Sequence, residues 1–299
     1  MRYQYRNKKH GFDQPEYMTG VICHFENSAD MQRHMLTGTK AETGKNIKVY
    51  DKGYNGREWL GECTFNQAME WGVVGNDKHL AKVMHVMNEV EATLGETTSK
   101  TWRRRPAGMF PSVPDAIMDK PDSMWRKEDE NSDRAPITIW VNSVSSGGWG
   151  ENELSKRGAA IAALLLKLAQ FRPVKLNLLM MVGQSQKARN YCNVVPVESA
   201  PLNVSQLAHI LCNPGWHRHQ YPIASNGWDS DLSWDSIFIK HNHDPNKPEF
   251  VADMKTFLDM APQDLYVPQA YLMDEMVRDP VAWVKRTLAM YEIETGAAS

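Results

Sequence analysis

The pattern of hydrophobic and polar positions is clearest between residues 136 and 183, where it predicts a strand, a helix and a second strand. The first strand is the apolar run from Ile137 to Val141, which a loop rich in Ser and Gly follows. A helix over about Asn152 to Gln170 comes next. It is apolar on most of its circumference, so it must be covered on more than one side. A proline ends the helix, and Val174 to Val182 form the second strand. The stretch is therefore a βαβ unit in the protein core.

Helical periodicity and capping residues predict six further helices. They lie at about residues 29–35, 66–71, 206–211, 250–260 and 280–292, with a longer one that starts at residues 75–77 and ends at 94. Thr64 is the predicted cap of the second, either Asn203 or Ser205 that of the helix at 206–211, and Asp279 that of the last. Leu265 to Val267 suit a short buried strand, whereas Gly183 to Ala200 are predicted to form a polar loop with one short apolar piece. The order of these elements is that of an α/β fold with an open, mostly parallel sheet flanked by helices.

Changes in composition divide the 299 residues into three parts. Residues 1–100 are predicted to be an N-terminal α+β extension, and their basic, tyrosine-containing start is interpreted as a frayed terminus. Residues 101–133 are rich in Pro and charge and lack sustained periodicity, which indicates a connector. Connectors of this length are usually functional or partly disordered. Residues 134–299 are predicted to be the α/β core.

Charge and cysteine usage narrow the class of protein. A formal net charge of −2 gives no global attraction to polyanions, so any contact with nucleic acid needs a local basic patch. The four cysteines are scattered and contain no C-x-x-C pair, which predicts free thiols in a reducing compartment. No signal peptide and no apolar run long enough to span a membrane are apparent, so we expect a soluble, cytoplasmic protein.

The densest basic and aromatic cluster lies in the predicted connector. Its members are Trp102, Arg103, Arg104, Arg105, Arg126 and Lys127. Cations attract a phosphate backbone and aromatic rings stack on unpaired bases, so this cluster is the candidate contact for a single-stranded nucleic acid. The alternative is that its arginines pair with the nearby acids Glu128, Asp129 and Glu130.

Tryptophans in predicted loops form a second aromatic signal. There are six of them: Trp102, Trp125, Trp149, Trp216, Trp228 and Trp234. Such residues serve as stacking platforms for bases or as anchors for protein partners. The alternative is that they pack long loops onto the sheet.

Two His-x-His segments form a candidate metal site. They contain His217 and His219 in one segment and His241 and His243 in the other. If the segments pair as strands, four imidazoles suit a transition metal such as zinc, although surface histidines in turns are common. We find no phosphate-binding loop, no H-E-x-x-H helix and no nucleophile elbow. No catalytic residue and no cofactor are therefore predicted, and a zinc-dependent enzyme ranks third among the functional hypotheses.

The loop from Asn142 to Gly148 resembles the metal-ion-dependent adhesion loop of von Willebrand factor A domains, which reads Asp-x-Ser-x-Ser after the first strand. The loop residues of interest are Asn142, Ser143, Ser145 and Ser146. Asn142 stands in place of the family's aspartate and Val144 in place of its first serine. Only Ser146 keeps the register. Because divalent cations prefer anionic oxygen ligands, the resemblance implies a von Willebrand A-like fold with a degenerate loop and no metal. The following helix start could instead bind an anion, although two glutamates oppose this.

Longer stretches resemble an uncharacterised family of bacteriophages and bacteria that is itself similar to a metal-less von Willebrand A domain. They are WVNSVSSGG, RGAAIAALLLKLAQFRPVKLNLLM and DLYVPQAYLMDEMVRDPVAWVKRTL. A narrower similarity is to single-stranded-DNA-binding early transcription accessory proteins of podophages that carry a giant virion RNA polymerase.

These resemblances imply a non-enzymatic phage accessory protein in the host cytoplasm. Its partner would be single-stranded DNA, or an RNA polymerase or replication protein. The alternative is a protein-binding adaptor of the von Willebrand A type.

Overall fold

The computed structural model describes most of the chain in thirteen ranges. They are residues 2–6, 20–37, 59–94, 100–106, 110–118, 120–129, 136–145, 149–170, 172–184, 189–197, 203–219, 247–270 and 274–291. All helices, strands and contacts below lie within these ranges.

Strands in the described ranges form two sheets. They are β1 (Arg2–Arg6), β2 (Gly20–His24), β3 (Lys100–Arg105), β4 (Phe110–Pro111), β5 (Met124–Asp129), β6 (Ile137–Asn142), β7 (Val174–Gln184), β8 (Arg189–Val197) and β9 (Leu265–Val267). The main sheet has the order β1-β2-β8-β7-β6-β9, and the small sheet has the order β3-β5-β4. In the main sheet β2 and β8, β6 and β7, and β6 and β9 are parallel, whereas β1 pairs with β2 and β7 with β8 in antiparallel fashion.

Helices cover both sides of the main sheet. They are α1 (Ser28–Thr37), α2 (Phe65–Val74), α3 (Leu80–Leu94), α4 (Val113–Ile117), α5 (Glu151–Leu168), α6 (Val204–Cys212), α7 (214–219), α8 (Pro248–Phe257), α9 (Glu275–Arg278) and α10 (Pro280–Ala289). The predicted α/β architecture, a mostly parallel sheet flanked by helices, is confirmed.

Three predicted caps begin their helices. Thr64 caps α2 in a reciprocal capping box with Gln67, Asn203 caps α6, and Asp279 caps α10. In each case a side-chain oxygen accepts a hydrogen bond from a backbone N–H that has no partner within the helix. These contacts span only three residues, so they follow from the local sequence.

The predicted βαβ unit is confirmed. Strands β6 and β7 are parallel, with Ile137 opposite Val174, and α5 connects them. Leu164 and Leu168 of α5 are fully buried. The helix is covered on several sides, by α3, α6 and α10, which explains why its sequence is apolar around most of its circumference.

Side chains of the central strands point alternately into two hydrophobic layers, one on each face of the main sheet. In β7, Leu176 and Leu178 pack in the layer that contains α5, whereas Leu179 and Met181 pack in the layer that contains α8. Successive side chains of a strand point to opposite faces, so a strand covered on both faces is apolar throughout. The mainly apolar strands therefore already indicate helices on two sides, although Lys175 and Asn177 interrupt β7.

The prediction that residues 183–200 form a polar loop is wrong, because β8 occupies half of this segment and the end of β7 lies in it as well. Strand β8 forms an antiparallel hairpin with β7 and a parallel pair with β2. Asn193 interrupts the apolar run in the sequence, yet it is buried in the sheet beside Val194 and Val195. The strand was missed because Asn193 breaks its apolar pattern and because one of its two pairing partners, β2, lies far away in the sequence.

The interpretation of the N-terminus as frayed is wrong for residues 2–6. These residues form β1, the edge strand of the main sheet, with Tyr3 opposite Cys23. Strands β1 and β2 come from the predicted N-terminal extension and continue the sheet of the predicted core.

The segment predicted as an irregular connector contains the small antiparallel sheet and α4. Its strand β3 reads KTWRRR, which lacks the apolar and polar alternation that identifies a half-buried strand. β3 is a strand because it pairs with β5, which follows some 20 residues later in the chain. The hydrophobic periodicity of β3 gives no sign of this pairing.

The four cysteines are free, as predicted, and the structure shows that all of them are buried. Burial raises the pKa of the Cys63 thiol to about 11, so this group is protonated near neutral pH. Across the described ranges, none of the helices combines the length and apolarity that crossing a membrane requires.

Candidate functional site

The loop after β6 lies where the strand order reverses. The chain proceeds from β6 to β7 and β8 on one side, and β9 then pairs on the other side of β6. Ligands of open α/β sheets commonly bind at such a point, beyond the carboxyl ends of the strands. Here the loop after β6 contacts the loop after β9. The backbone N–H of Ala270 donates to Val144 O at 3.1 Å, and Ser145 and Ala270 form an isolated parallel β-bridge.

Asn142 and Ser143 are engaged inside the protein. Asn142 is buried, its Nδ2 donates to Tyr266 Oη at 3.4 Å, and its Oδ1 accepts from Val144 N at 3.1 Å. The Ser143 hydroxyl donates to Leu179 O at 2.8 Å. These side chains therefore fix the loop to β7 and β9. Ser146 lies outside the described residues.

A buried guanidinium lies beneath this loop. Arg157 of α5 donates to the carbonyl oxygens of Asn142 and Pro268, and its Nε lies 3.3 Å from Asp274 Oδ2. Its side chain is only 5% exposed. Burial lowers the pKa of Arg157, yet an arginine remains charged in proteins. A permanent cation thus links the loops after β6 and β9.

This arrangement does not fit a divalent metal of the adhesion type. The carboxamide of Asn142 offers no charge and already has protein partners, and the Arg157 guanidinium would repel a second cation. Within the described residues no group of three or more His, Cys, Asp or Glu could hold a metal ion.

The small sheet divides the predicted basic and aromatic cluster between two faces. In the register of β3 and β5, Trp102 lies opposite Lys127, Arg103 opposite Arg126, and Arg104 opposite Trp125. Directly opposed residues share a face and neighbours along a strand do not. One face, here called the arginine face, carries Arg103, Arg105 and Arg126. The other, the aromatic face, carries Trp102, Arg104, Phe110, Trp125 and Lys127.

The structure therefore brings the six predicted contact residues into one sheet but does not place them on one surface. The sequence could not show this, because the assignment to faces depends on which residue of β5 opposes each residue of β3. Strand alternation separates the two arginines at 103 and 104, although they are neighbours in the chain.

Arg104 belongs to an ionic cluster with α4. Its Nη1 lies 2.5 Å from Asp115 Oδ2, and Asp115 also accepts hydrogen bonds from the Ser112 hydroxyl at 2.6 Å and Lys120 Nζ at 3.0 Å. The hydrogen bond from Ser112, with the neighbouring Lys120 and Arg104, holds the pKa of Asp115 below its usual value. These contacts fix α4 to the sheet on the side that carries Arg104.

This cluster changes the alternative interpretation of the arginines. The alternative paired the arginines with Glu128, Asp129 or Glu130, and the structure adds a carboxylate outside that set, because Asp115 lies beside Arg104. Sequence reasoning missed Asp115, Ser112 and Lys120. The signal available was Ser112 followed three residues later by an acid, a pattern common at the start of a helix.

His217 and His219 lie in α7, not on adjacent strands as the zinc hypothesis required. Both are buried. Nε2 of His217 lies 3.5 Å from Leu211 O, and Nε2 of His219 lies 3.0 Å from Cys63 O. Burial lowers the pKa of His217 to about 3. These imidazoles pack α7 against its neighbours, and His241 and His243 lie outside the described residues.

Two of the predicted loop tryptophans are core residues. Trp216 lies in α7 and is 1% exposed, and Trp149, just before α5, is also buried. Arg218, between the two histidines, donates to the carbonyl oxygen of Trp149. Trp102 and Trp125 lie in strands of the small sheet, and Trp228 and Trp234 lie outside the described residues.

One serine and lysine pair has the geometry of a nucleophile and its base. Lys82 Nζ lies 2.8 Å from Ser155 Oγ, which in turn donates to Asn152 O at 3.1 Å. Ser155 is fully buried, so an external substrate cannot reach its hydroxyl. The pair instead fastens α3 to α5.

Comparison with known proteins identifies one family and no characterised relative. Residues 9–221, well over half of the chain, match the family described as Domain of unknown function (DUF7192). No curated protein and no solved structure matches the chain. The matched span contains β2 to β8 and α1 to α7, including the small sheet and the loop after β6. The chain therefore belongs to the DUF7192 family, whose function is unknown.

Proposed function

We propose that this protein is a non-enzymatic binding protein for single-stranded nucleic acid and that the small sheet is its contact surface. The observation that supports the proposal is the register of β3 and β5. It gathers four arginines, two lysines and two tryptophans into twelve strand positions. Cations supply affinity for phosphates, and aromatic rings tolerate any base sequence.

The cellular role follows from the narrower resemblance. A phage accessory protein in the host cytoplasm would use such a surface on single-stranded DNA during transcription or replication, beside an RNA polymerase or a replication protein. The formal net charge of −2 makes this local surface necessary, because the whole molecule does not attract polyanions.

A direct binding measurement tests the proposal. Fluorescence anisotropy with a labelled oligothymidylate should show binding tighter than about 10⁻⁴ M at physiological salt, the weak end of non-specific DNA binding. Arg103→Gln with Arg104→Gln, one change on each face, should weaken this binding. The matched control is Lys156→Gln with Lys175→Gln, which removes the same charge from exposed positions of α5 and β7. An equal loss in both double variants, or no binding by the wild-type protein, would refute the proposal.

A protein-binding adaptor of von Willebrand A type is the second candidate. It is favoured by the contact between the loops after β6 and β9 at the reversal of strand order. The von Willebrand A likeness is proposed on the same ground, together with the β6, α5 and β7 unit that follows the resembling loop. In such an adaptor Arg157, rather than a metal ion, would hold the loop.

A further inference from the structure

Helix α4 exposes its apolar side chains and buries its charged one. Of the six residues from Val113 to the C-cap Met118, Asp115 alone is buried. The exposed fractions of the three large apolar side chains are 62% for Val113, 79% for Ile117 and 57% for Met118. We propose that this outer face of α4 docks a second copy of the chain, so that the protein forms a weak dimer with two-fold symmetry. The outer face consists of five exposed residues, Val113, Pro114, Ala116, Ile117 and Met118.

The orientation of α4 is the reverse of that of an ordinary surface helix, which packs its apolar stripe against the core and exposes its charges. Successive residues of a helix lie about 100° apart around its axis. Ile117 therefore lies in the middle of the apolar arc, and Asp115 lies on the side away from it. This reversal shows that α4 is not held in place by burying its apolar side chains in its own protein.

Polar contacts hold α4 instead. The Asp115 carboxylate accepts a hydrogen bond from the Ser112 hydroxyl and pairs with Arg104 and Lys120. The backbone N–H of Ser112 donates to Ser123 O at 2.6 Å. The side chains of the outer face take no part in these contacts, so they can be replaced without breaking them.

Exposed apolar side chains are concentrated on α4. Three of the six large hydrophobic residues that are strongly exposed in the described ranges lie on its outer face. The other three, Val74, Met84 and Met290, belong to α2, to α3 and to the C-cap of α10. Single exposed apolar residues are normal, whereas a group of them on one surface marks an interaction site.

The charges around the outer face disfavour a partner that presents phosphates. The segment from Ser112 to Asp122 contains three aspartates and one lysine, and Arg104 adds a second cation beside Asp115. Three carboxylates outweigh two cations, so an anionic membrane or a nucleic acid gains no attraction here. An apolar protein surface is the remaining class of partner.

A second copy of the chain matches the outer face in both apolarity and charge. In a two-fold dimer a surface meets itself, so apolar side chains meet apolar side chains. Lys120 and Asp122 are both exposed, have opposite charges and lie two residues apart, so each can face the other's counterpart across the axis. Because one short helix buries less than the roughly 800 Å² per partner of a stable interface, the dimer should be weak.

Charged substitutions on the outer face test the dimer. Sedimentation equilibrium of the full chain should show a monomer and a dimer in exchange, with a Kd between about 1 µM and 1 mM. Ile117→Lys with Met118→Lys places like charges against each other and should weaken association at least about tenfold. The matched control is Val74→Lys with Met290→Lys, at residues that are 62% and 68% exposed, and it should associate as the wild-type protein does. Circular dichroism checks that both variants are folded.

Two results would overturn the proposal. A wild-type protein that stays monomeric up to about 1 mM would exclude a second copy as the occupant of the outer face. An equal loss of association in both double variants would place the interface outside α4.

A single cysteine tests the two-fold arrangement separately. The four native cysteines are buried, so a thiol introduced on the surface is the one that reacts. In Ile117→Cys the new thiols of two copies should lie near the symmetry axis and form a disulfide, with oxidised glutathione accepting the two electrons and two protons. Val74→Cys is the control, and non-reducing electrophoresis measures the covalent dimer. Absence of this dimer in Ile117→Cys, or an equal yield in both variants, would contradict the two-fold contact through α4.

Discussion

Among single residues, Arg157 is the one that fastens the loop after β6 to the rest of the fold. Its guanidinium joins two backbone carbonyls and the Asp274 carboxylate inside the protein. The Asp274 side chain is only 8% exposed, so removing the arginine would leave a carboxylate buried without its counter-ion. Such a group costs far more free energy than a broken ion pair at the surface.

Arg157→Met should therefore lower the free energy of unfolding by about 3–5 kcal/mol, the usual cost of breaking a buried ion pair from one side. Adding Asp274→Asn should restore part of this loss, because Asn can still accept the hydrogen bond from Met276 N that begins α9. Urea unfolding of both single variants and the double variant measures the coupling. A loss below about 1 kcal/mol in Arg157→Met would show that the pair does not stabilise the loop.

At the scale of elements, the crossing of α5 and α6 depends on a glycine. A Cβ atom at Gly158 of α5 would lie 2.2 Å from Leu211 O and 2.8 Å from Cys212 N, both in the backbone of α6. Only a residue without a side chain allows this approach. The sequence reads as an alanine-rich helix in which Gly158 is merely a weak helix former.

Helix propensity and packing predict opposite effects for Gly158→Ala. Propensity alone would stabilise α5 by about 1 kcal/mol, whereas separating the two backbones costs about 1–3 kcal/mol or more. We expect packing to dominate, so thermal unfolding of Gly158→Ala should occur at a lower temperature. Lys156→Ala, at an exposed position of the same helix, is the control and should have little effect. A raised midpoint in Gly158→Ala would show that α5 and α6 can move apart without cost.

At the scale of the whole molecule, buried histidines make stability depend on pH. Burial lowers the pKa of His79 and of His209 to about 4 and that of His217 to about 3. An unfolded chain has histidine pKa values near 6.5, so unfolding takes up protons between about pH 4 and pH 6.5. The neutral forms thus stabilise the fold fully above about pH 6.5, and this contribution is lost as the pH falls through that window.

The free energy of unfolding should therefore fall steeply on acidification from about pH 6.5 to about pH 4, with up to three protons taken up. Each proton contributes about 1.4 kcal/mol per pH unit. Urea unfolding across this range measures the slope, and His209→Gln should reduce it by about one proton. His85→Gln, whose side chain is 72% exposed in the native protein, should leave the slope unchanged. A flat profile above pH 4.5 would contradict this account.

Elements with local signals were predictable from the sequence. The caps Thr64, Asn203 and Asp279 begin their helices where expected, because each hydrogen bond joins residues three apart. The apolar runs that form most of β6 and β7 were equally clear, since burial on both faces leaves few polar positions. By contrast, β8 and the strands of the small sheet were missed. They are strands because they pair with other segments, and their sequences show no clear apolar pattern.

For the candidate site, the sequence by itself determined the residue types: a basic and aromatic cluster, and a loop with Asn142 in place of an aspartate. Only the tertiary structure decided how they are arranged. The register of β3 against β5 separates Arg103 from Arg104, and Arg157 meets Asp274 across 117 residues of chain. The physical reason is the distance along the chain over which each interaction acts. Capping and periodicity act within a few residues, whereas the face of a strand and the partner of a buried charge depend on segments that only folding brings together.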